Sequence, residues 1–294
     1  MPPAARPPAR GTWFFFFLRW LERHLSISTL YALLRPFAFA RATLNTAFRN
    51  PRPRQPLPAG LQTAWSRHQL RRRRLQLYMD RHLMYFPDRL ADPKWRDRCT
   101  LVGHQQLRQL RVAGHPAVLA FCHFGSVHLT RYWLRANGIP CAAVTGGKSG
   151  KPRELHLLTE HLIASPHIPI IFKMDQLKEA SRFLAAGNLL FISLDRPEGR
   201  QLDVPFGDGW TMQMATGAVR LAHRHQAELI PCTILDEGPW RYRVVVGRPV
   251  PPELLADESA WPRAGAHLIA EMLPHFQSRP DQCGGELHRC LRKN

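Results

Sequence analysis

AVLAFCHFGSVHLTRYWL, residues 117–134, decides the fold. Apolar side chains run from Ala117 to Cys122 without alternation, as in a strand covered on both faces. His123 ends the run, Gly125 breaks the backbone, and a helical pattern opens about Ser126. A buried strand handing over directly to a helix is the unit of a parallel α/β sheet, and sites form at the carboxyl ends of such strands. His123 is therefore the first candidate for chemistry, and the amides around Gly125 are placed to face an anion. The competing reading of His123 is a packed or capping histidine.

Downstream, short apolar runs alternate with helical patterns. Strands are expected at 117–122, 141–145, 168–172, 189–194, 228–235 and 242–247, and helices at 126–137, 152–163, 175–186, 211–225 and 260–276. Residues 112–294 thus read as one α/β domain: a mixed, largely parallel sheet flanked by helices. A second strand end, LLFISLDR at 189–196, offers Asp195 and Arg196 to the same rim as His123. The plainer reading pairs those two at the surface, where an ion pair contributes little. TGGKSGK (145–151) fails the P-loop frame, because Ala142 or Thr145 stands where the leading glycine belongs. It reads as a loop carrying Lys148 and Lys151.

Upstream, the composition changes. The 294 residues carry a formal charge of +19, and the excess lies in residues 1–111, with 21 basic against 5 acidic side chains. Such a balance calls for an anionic partner: lipid, nucleic acid or acidic protein. Residues 1–60 read as a Pro/Arg leader and interfacial helices, and residues 61–111 as a basic helical region. In WFFFFLRWLERHL (13–25), Arg19, Glu22 and Arg23 form a narrow polar stripe opposite a wide aromatic face. The charges interrupt an apolar run too short to span a bilayer, so an amphipathic membrane-binding helix lying in the headgroup plane is expected. The rival is a face docked on the protein's own core. LYALLRPFAFARATLNTAF (30–48) continues the character, and a helix over 62–86 carries the run Arg71 to Arg74, read as a solvated cationic face. That run also suggests nucleic-acid binding, but no reading module accompanies it.

Six scattered cysteines, with no cleavable signal segment apparent, imply reduced thiols in a cytosolic setting. Cys283, His288 and Cys290 lack paired CxxC spacing, and residues 283–290 read as an exposed tail; no metal is expected there or at Cys122, His123 and His128.

Taken in order, HFGSVH (123–128), LLFISLD (189–195), VPFGDG (204–209) and TGAVRLAHRHQAELIP (216–231) resemble the lipid A biosynthesis acyltransferase family. The resemblance implies a glycerolipid acyltransferase-like fold at the cytoplasmic face of a bacterial inner membrane. It implies transfer of a fatty acyl chain from acyl carrier protein, or CoA, to a hydroxyl of a membrane lipid or glycolipid. The acyl thioester is a co-substrate and no cofactor is implied. His123 would be the general base, and Arg196 would meet phosphate or the developing oxyanion. The sequence departs from the family's H-x4-D/E, because His128 replaces the acid. Three readings stand: Asp195 supplies the missing charge, a His123–His128 pair suffices, or the chain binds lipid without catalysis. The family's arginine between the second and third strands is also missing, and Lys148, Lys151 and Arg153 are the candidate substitutes.

Overall fold

The computed structural model describes residues 12–48, 58, 61, 67–84, 87–145, 170–196 and 199–294. Its strands are β1 (Cys99–Val102), β2 (Ala117–Phe121), β3 (Cys141–Thr145), β4 (Ile171–Lys173), β5 (Leu189–Ser193), β6 (Gln201–Gly207), β7 (Trp210–Ala215), β8 (Glu228–Gly238), β9 (Arg241–Val246) and β10 (Leu291–Lys293). Seven form one sheet in the order β1-β9-β8-β2-β5-β3-β4, and every neighbouring pair is parallel except β8 with β9. The remaining three make a small antiparallel sheet, β10-β7-β6.

Two strands lie where helix was expected. β1 sits in the region read as basic and helical, and it joins the main sheet beside β9. β7 occupies the start of the helix expected over 211–225. There Trp210, Met212 and Met214 are buried while Thr211 and Gln213 alternate outward, a period of two that no helix satisfies. The turn at residues 207–209 closes this hairpin, with Gly207, Asp208 and Gly209 all at positive φ.

The helices are α1 (Thr12–His24), α2 (Ile27–Phe48), α3 (Arg67–Leu83), α4 (Pro93–Arg96), α5 (Gln105–Val112), α6 (Val127–Ala136), α7 (Leu177–Ala185), α8 (Gly217–His225), α9 (Trp261–Ser278) and α10 (Gly285–Cys290). They cover both faces of the sheet. Alternate residues of β2 divide between two cores: Val118 and Ala120 pack with α7, α8 and α9, whereas Ala117, Leu119 and Phe121 pack with α6 and the N-terminal helices. Leu18, Leu21, Leu30, Leu34 and Met79 belong to that second core, so α1 to α3 form a layer of the domain.

The orientation of α1 differs from the expected one. Two of the three residues of its polar stripe face inward: Arg19 pairs with Asp88 at 2.6 Å, and Glu22 is buried, accepting from Trp95 Nε1 at 2.8 Å and from Arg89. Burial alone would raise the Glu22 pKa, but these hydrogen bonds and the Lys94 charge hold it below its ordinary value. The face left outward is aromatic, with Phe16, Phe17 and Trp20 exposed and Phe37 and Phe39 of α2 beside them in character. No described helix is long and apolar enough to cross a membrane.

The C-terminal segment is a second correction. Cys283, Leu287 and Cys290 are fully buried, because Cys283 bridges to Phe124 and β10 pairs with β7. The segment completes the core and is not an exposed tail.

Candidate active site

β2 and β5 are parallel neighbours in register, Ala117 opposite Leu189 and Phe121 opposite Ser193. Two residues further along each strand stand His123 and Asp195, so equal strand lengths bring them together at one rim. His123 Nδ1 lies 2.7 Å from Asp195 Oδ1, and the His123 backbone N–H donates to Asp195 Oδ2 at 2.6 Å. The carboxylate therefore fixes both the ring's tilt and its tautomer, leaving Nε2 for chemistry. Asp195 is fully buried, whereas the His123 side chain keeps 21% of its surface and borders two cavities. Burial would lower the His123 pKa, but the Asp195 hydrogen bond and charge outweigh it, helped by Glu286 and opposed by Arg196; the net direction is upward. Both Asp195 oxygens are engaged by His123, so the surface pairing of Asp195 with Arg196 is not what forms.

His128 takes a different place. It lines both cavities, its Nε2 is buried without a hydrogen-bond partner, and burial with the charges of Arg131 and Arg81 lowers its pKa to about 3. It stays neutral and does not supply the family's negative charge.

The loop between β2 and α6 is held from outside. Gly125 has φ +53°, and a Cβ there would collide with the Ile234 carbonyl oxygen, so only glycine fits. Its N–H donates to Gln282 O at 2.9 Å, and the Ser126 N–H donates to Asp236 Oδ1 at 3.2 Å. These two amides are thus spent inside the protein, and the anion cradle expected at Gly125 is not formed by them. The C-terminal segment grips the same loop, since the Gly284 N–H donates to His123 O at 2.6 Å.

The larger cavity, about 380 Å³, opens between His123, α3 and the C-terminal segment. The α3 arginines are partly committed: Arg73 donates to Asp281 O and Arg74 to Asn45 O, while Arg72 borders the cavity. Beneath them lies a buried acid network. Asp80 accepts from the Tyr242 hydroxyl at 2.5 Å and pairs with the Ser126 hydroxyl, and Ser126 is in turn bound to Asp236. Burial pushes Asp80 well above the carboxylate range and Asp236 up to about 6. The smaller cavity, about 210 Å³, is walled by Phe121, Phe191, Ala143 and Val144, with Arg131 and Arg196 as its cations.

Asp80, Arg131, Asp236, Gln282 and Glu286 escaped the sequence reading. Arg131 carried one signal, its position on the helix face of His128; the others are brought in by tertiary contact alone. Lys148, Lys151, Arg153 and the helix expected at 152–163 lie outside the described residues. Among the described residues no cluster of three His, Cys, Asp or Glu is placed to hold a metal ion.

Compared with known proteins, residues 82–274 match the family model described as bacterial lipid A biosynthesis acyltransferase. No curated protein matches the chain.

Proposed function

The chain belongs to the bacterial lipid A biosynthesis acyltransferase family, and from that premise we propose that it moves a fatty acyl chain from a thioester onto a hydroxyl of a membrane glycolipid, with His123 as general base and Asp195 as its orienting acid. Acyl carrier protein, or CoA, is the proposed donor, and an acidic carrier suits the cationic N-terminal third. The observation carrying this reading is the His123–Asp195 contact at a strand rim that opens into two cavities.

In the proposed step, His123 Nε2 takes the acceptor's hydroxyl proton as that oxygen attacks the thioester carbonyl. Asp195 stabilises the imidazolium that forms, the part a buried carboxylate plays in hydrolase triads. Collapse of the tetrahedral intermediate breaks the C–S bond, and the proton on Nε2 passes to the departing sulfur. The products are an ester and a free thiol, and His123 is neutral again. Asp195 reaches the imidazole from a neighbouring strand, so the base keeps an anionic partner although position 128 is histidine.

We also propose that the outward aromatics of α1 and α2 seat the protein on the inner membrane's cytoplasmic face. Phe16, Phe17, Trp20 and Phe37 are exposed, and interfacial binding would bury their outward faces in the headgroup region.

The decisive experiment is acyl transfer by purified His123→Ala, with lipid products read by mass spectrometry. The expected loss is at least about 10²–10⁴-fold, the range general-base catalysis supplies. Undiminished transfer would remove His123 from the mechanism.

A further inference from the structure

Arg131 projects from α6 into the smaller cavity, and only 8% of its surface is exposed. Its Nη1 has no hydrogen-bond partner, and no carboxylate among the described residues pairs with it. A buried guanidinium normally comes with an anion, because leaving such a charge without one is costly. The same cavity is lined by a second cation, Arg196, and by the buried, unpartnered Nε2 of neutral His128, three residues before Arg131 on α6. The rest of the lining is mostly apolar, from Phe121, Val127, Val144 and Phe191, with Ser193 and His123 also bordering it. Low polarity strengthens any charge pairing made inside.

We propose that Arg131 and Arg196 form an oxyanion pocket beside the base, which binds a phosphate ester of one of the two substrates and positions that substrate against His123. The pocket rests on the acyl-transfer reading for its purpose but not for its chemistry. A planar guanidinium offers a two-point fork to phosphate oxygens, and Arg196 lines the same cavity as a second cation. The phosphate can belong to the acceptor lipid or to the pantetheine arm of the thioester donor, and the two sources are separable by experiment.

The test uses the full chain with Arg131→Leu and Arg131→Lys. In phosphate-free buffer the leucine variant should melt higher than the wild type, since it removes a buried charge that no described carboxylate pairs with. Inorganic phosphate should then raise the melting temperature of the wild type and leave Arg131→Leu unmoved, with an equal ionic strength of sodium chloride as control. In transfer assays the leucine variant should raise KM by about tenfold to a hundredfold, the range for a lost charge-assisted contact, while changing kcat little. Lysine should restore part of the loss. A KM rise confined to phosphorylated acceptors assigns the phosphate to the lipid, and one confined to the thioester assigns it to the donor.

A leucine variant that melts lower, or that responds to phosphate as the wild type does, would overturn the pocket. The phosphate shift needs no turnover, so an inactive His123→Ala protein should still show it. Loss of the acyl-transfer reading and loss of the pocket are thereby distinguishable.

Discussion

At the scale of single residues, the central pair is His123 and Asp195. The carboxylate raises the affinity of the imidazole for a proton, and a general base works only when neutral. Activity should therefore rise with pH through a midpoint above the ordinary histidine value. In Asp195→Asn that midpoint should move to lower pH, and kcat should fall by up to about 10⁴, as when a triad carboxylate is lost. A pH–rate profile unchanged in the asparagine variant would separate the two residues functionally. Their pairing has a trace in the sequence, because AVLAFCH and LLFISLD each place the polar residue seventh in an apolar run. Which strands are neighbours decides whether that equality matters, and a single strand does not encode its neighbour. The neutrality of His128 is likewise set by its burial first and then by the charges of Arg131 and Arg81, and not by its place in the motif.

At the scale of elements, the C-terminal segment and α1 change meaning most. Gly284 touches the His123 carbonyl so closely that a Cβ would displace it. Gly284→Ala should depress transfer while most of the fold survives, because the push falls on the loop that aims the base; circular dichroism beside the transfer assay would show the two effects apart. Cys283 and Leu287 are apolar enough for a core, but lone residues between polar ones give no periodicity to read. α1 was legible as an amphipathic helix, yet its rotation depends on Asp88, Arg89, Lys94 and Trp95 arriving from elsewhere. The aromatics left outward suggest a direct measurement. Replacing Phe16, Phe17 and Trp20 with serine should weaken binding to anionic vesicles without lowering the melting temperature, since these side chains are already exposed. Equal vesicle binding would remove α1 as the membrane contact.

At the scale of the molecule, the buried Asp80–Ser126–Asp236 network ties α3, the loop between β2 and α6, and β8 into one body. Asp236 binds its proton more tightly folded than unfolded, with a folded value of about 6. Its contribution is thus fully present below the ordinary carboxylate range and is lost as pH rises through about 6. Relative to Asp236→Asn, which keeps an oxygen for the Ser126 N–H, the wild type should gain thermal stability as pH falls from 7 to 5. A constant difference between the two melting curves across that range would show that the pair does not titrate there. Described residues of the basic N-terminal third, those of α1 to α3, pack on one side of the sheet.

Local pattern alone determined the α/β class, the central buried strand and its terminal histidine, and the amphipathic N-terminal helices, because hydrophobic periodicity is a property of adjacent residues. The partner of that histidine, the inward turn of Arg19 and Glu22, the burial of the C-terminal cysteines and the burial of Arg131 away from any described carboxylate were decided only by tertiary structure. Each depends on groups from distant parts of the chain meeting in a space that excludes water, and there desolvation, not residue type, sets which charges need a partner.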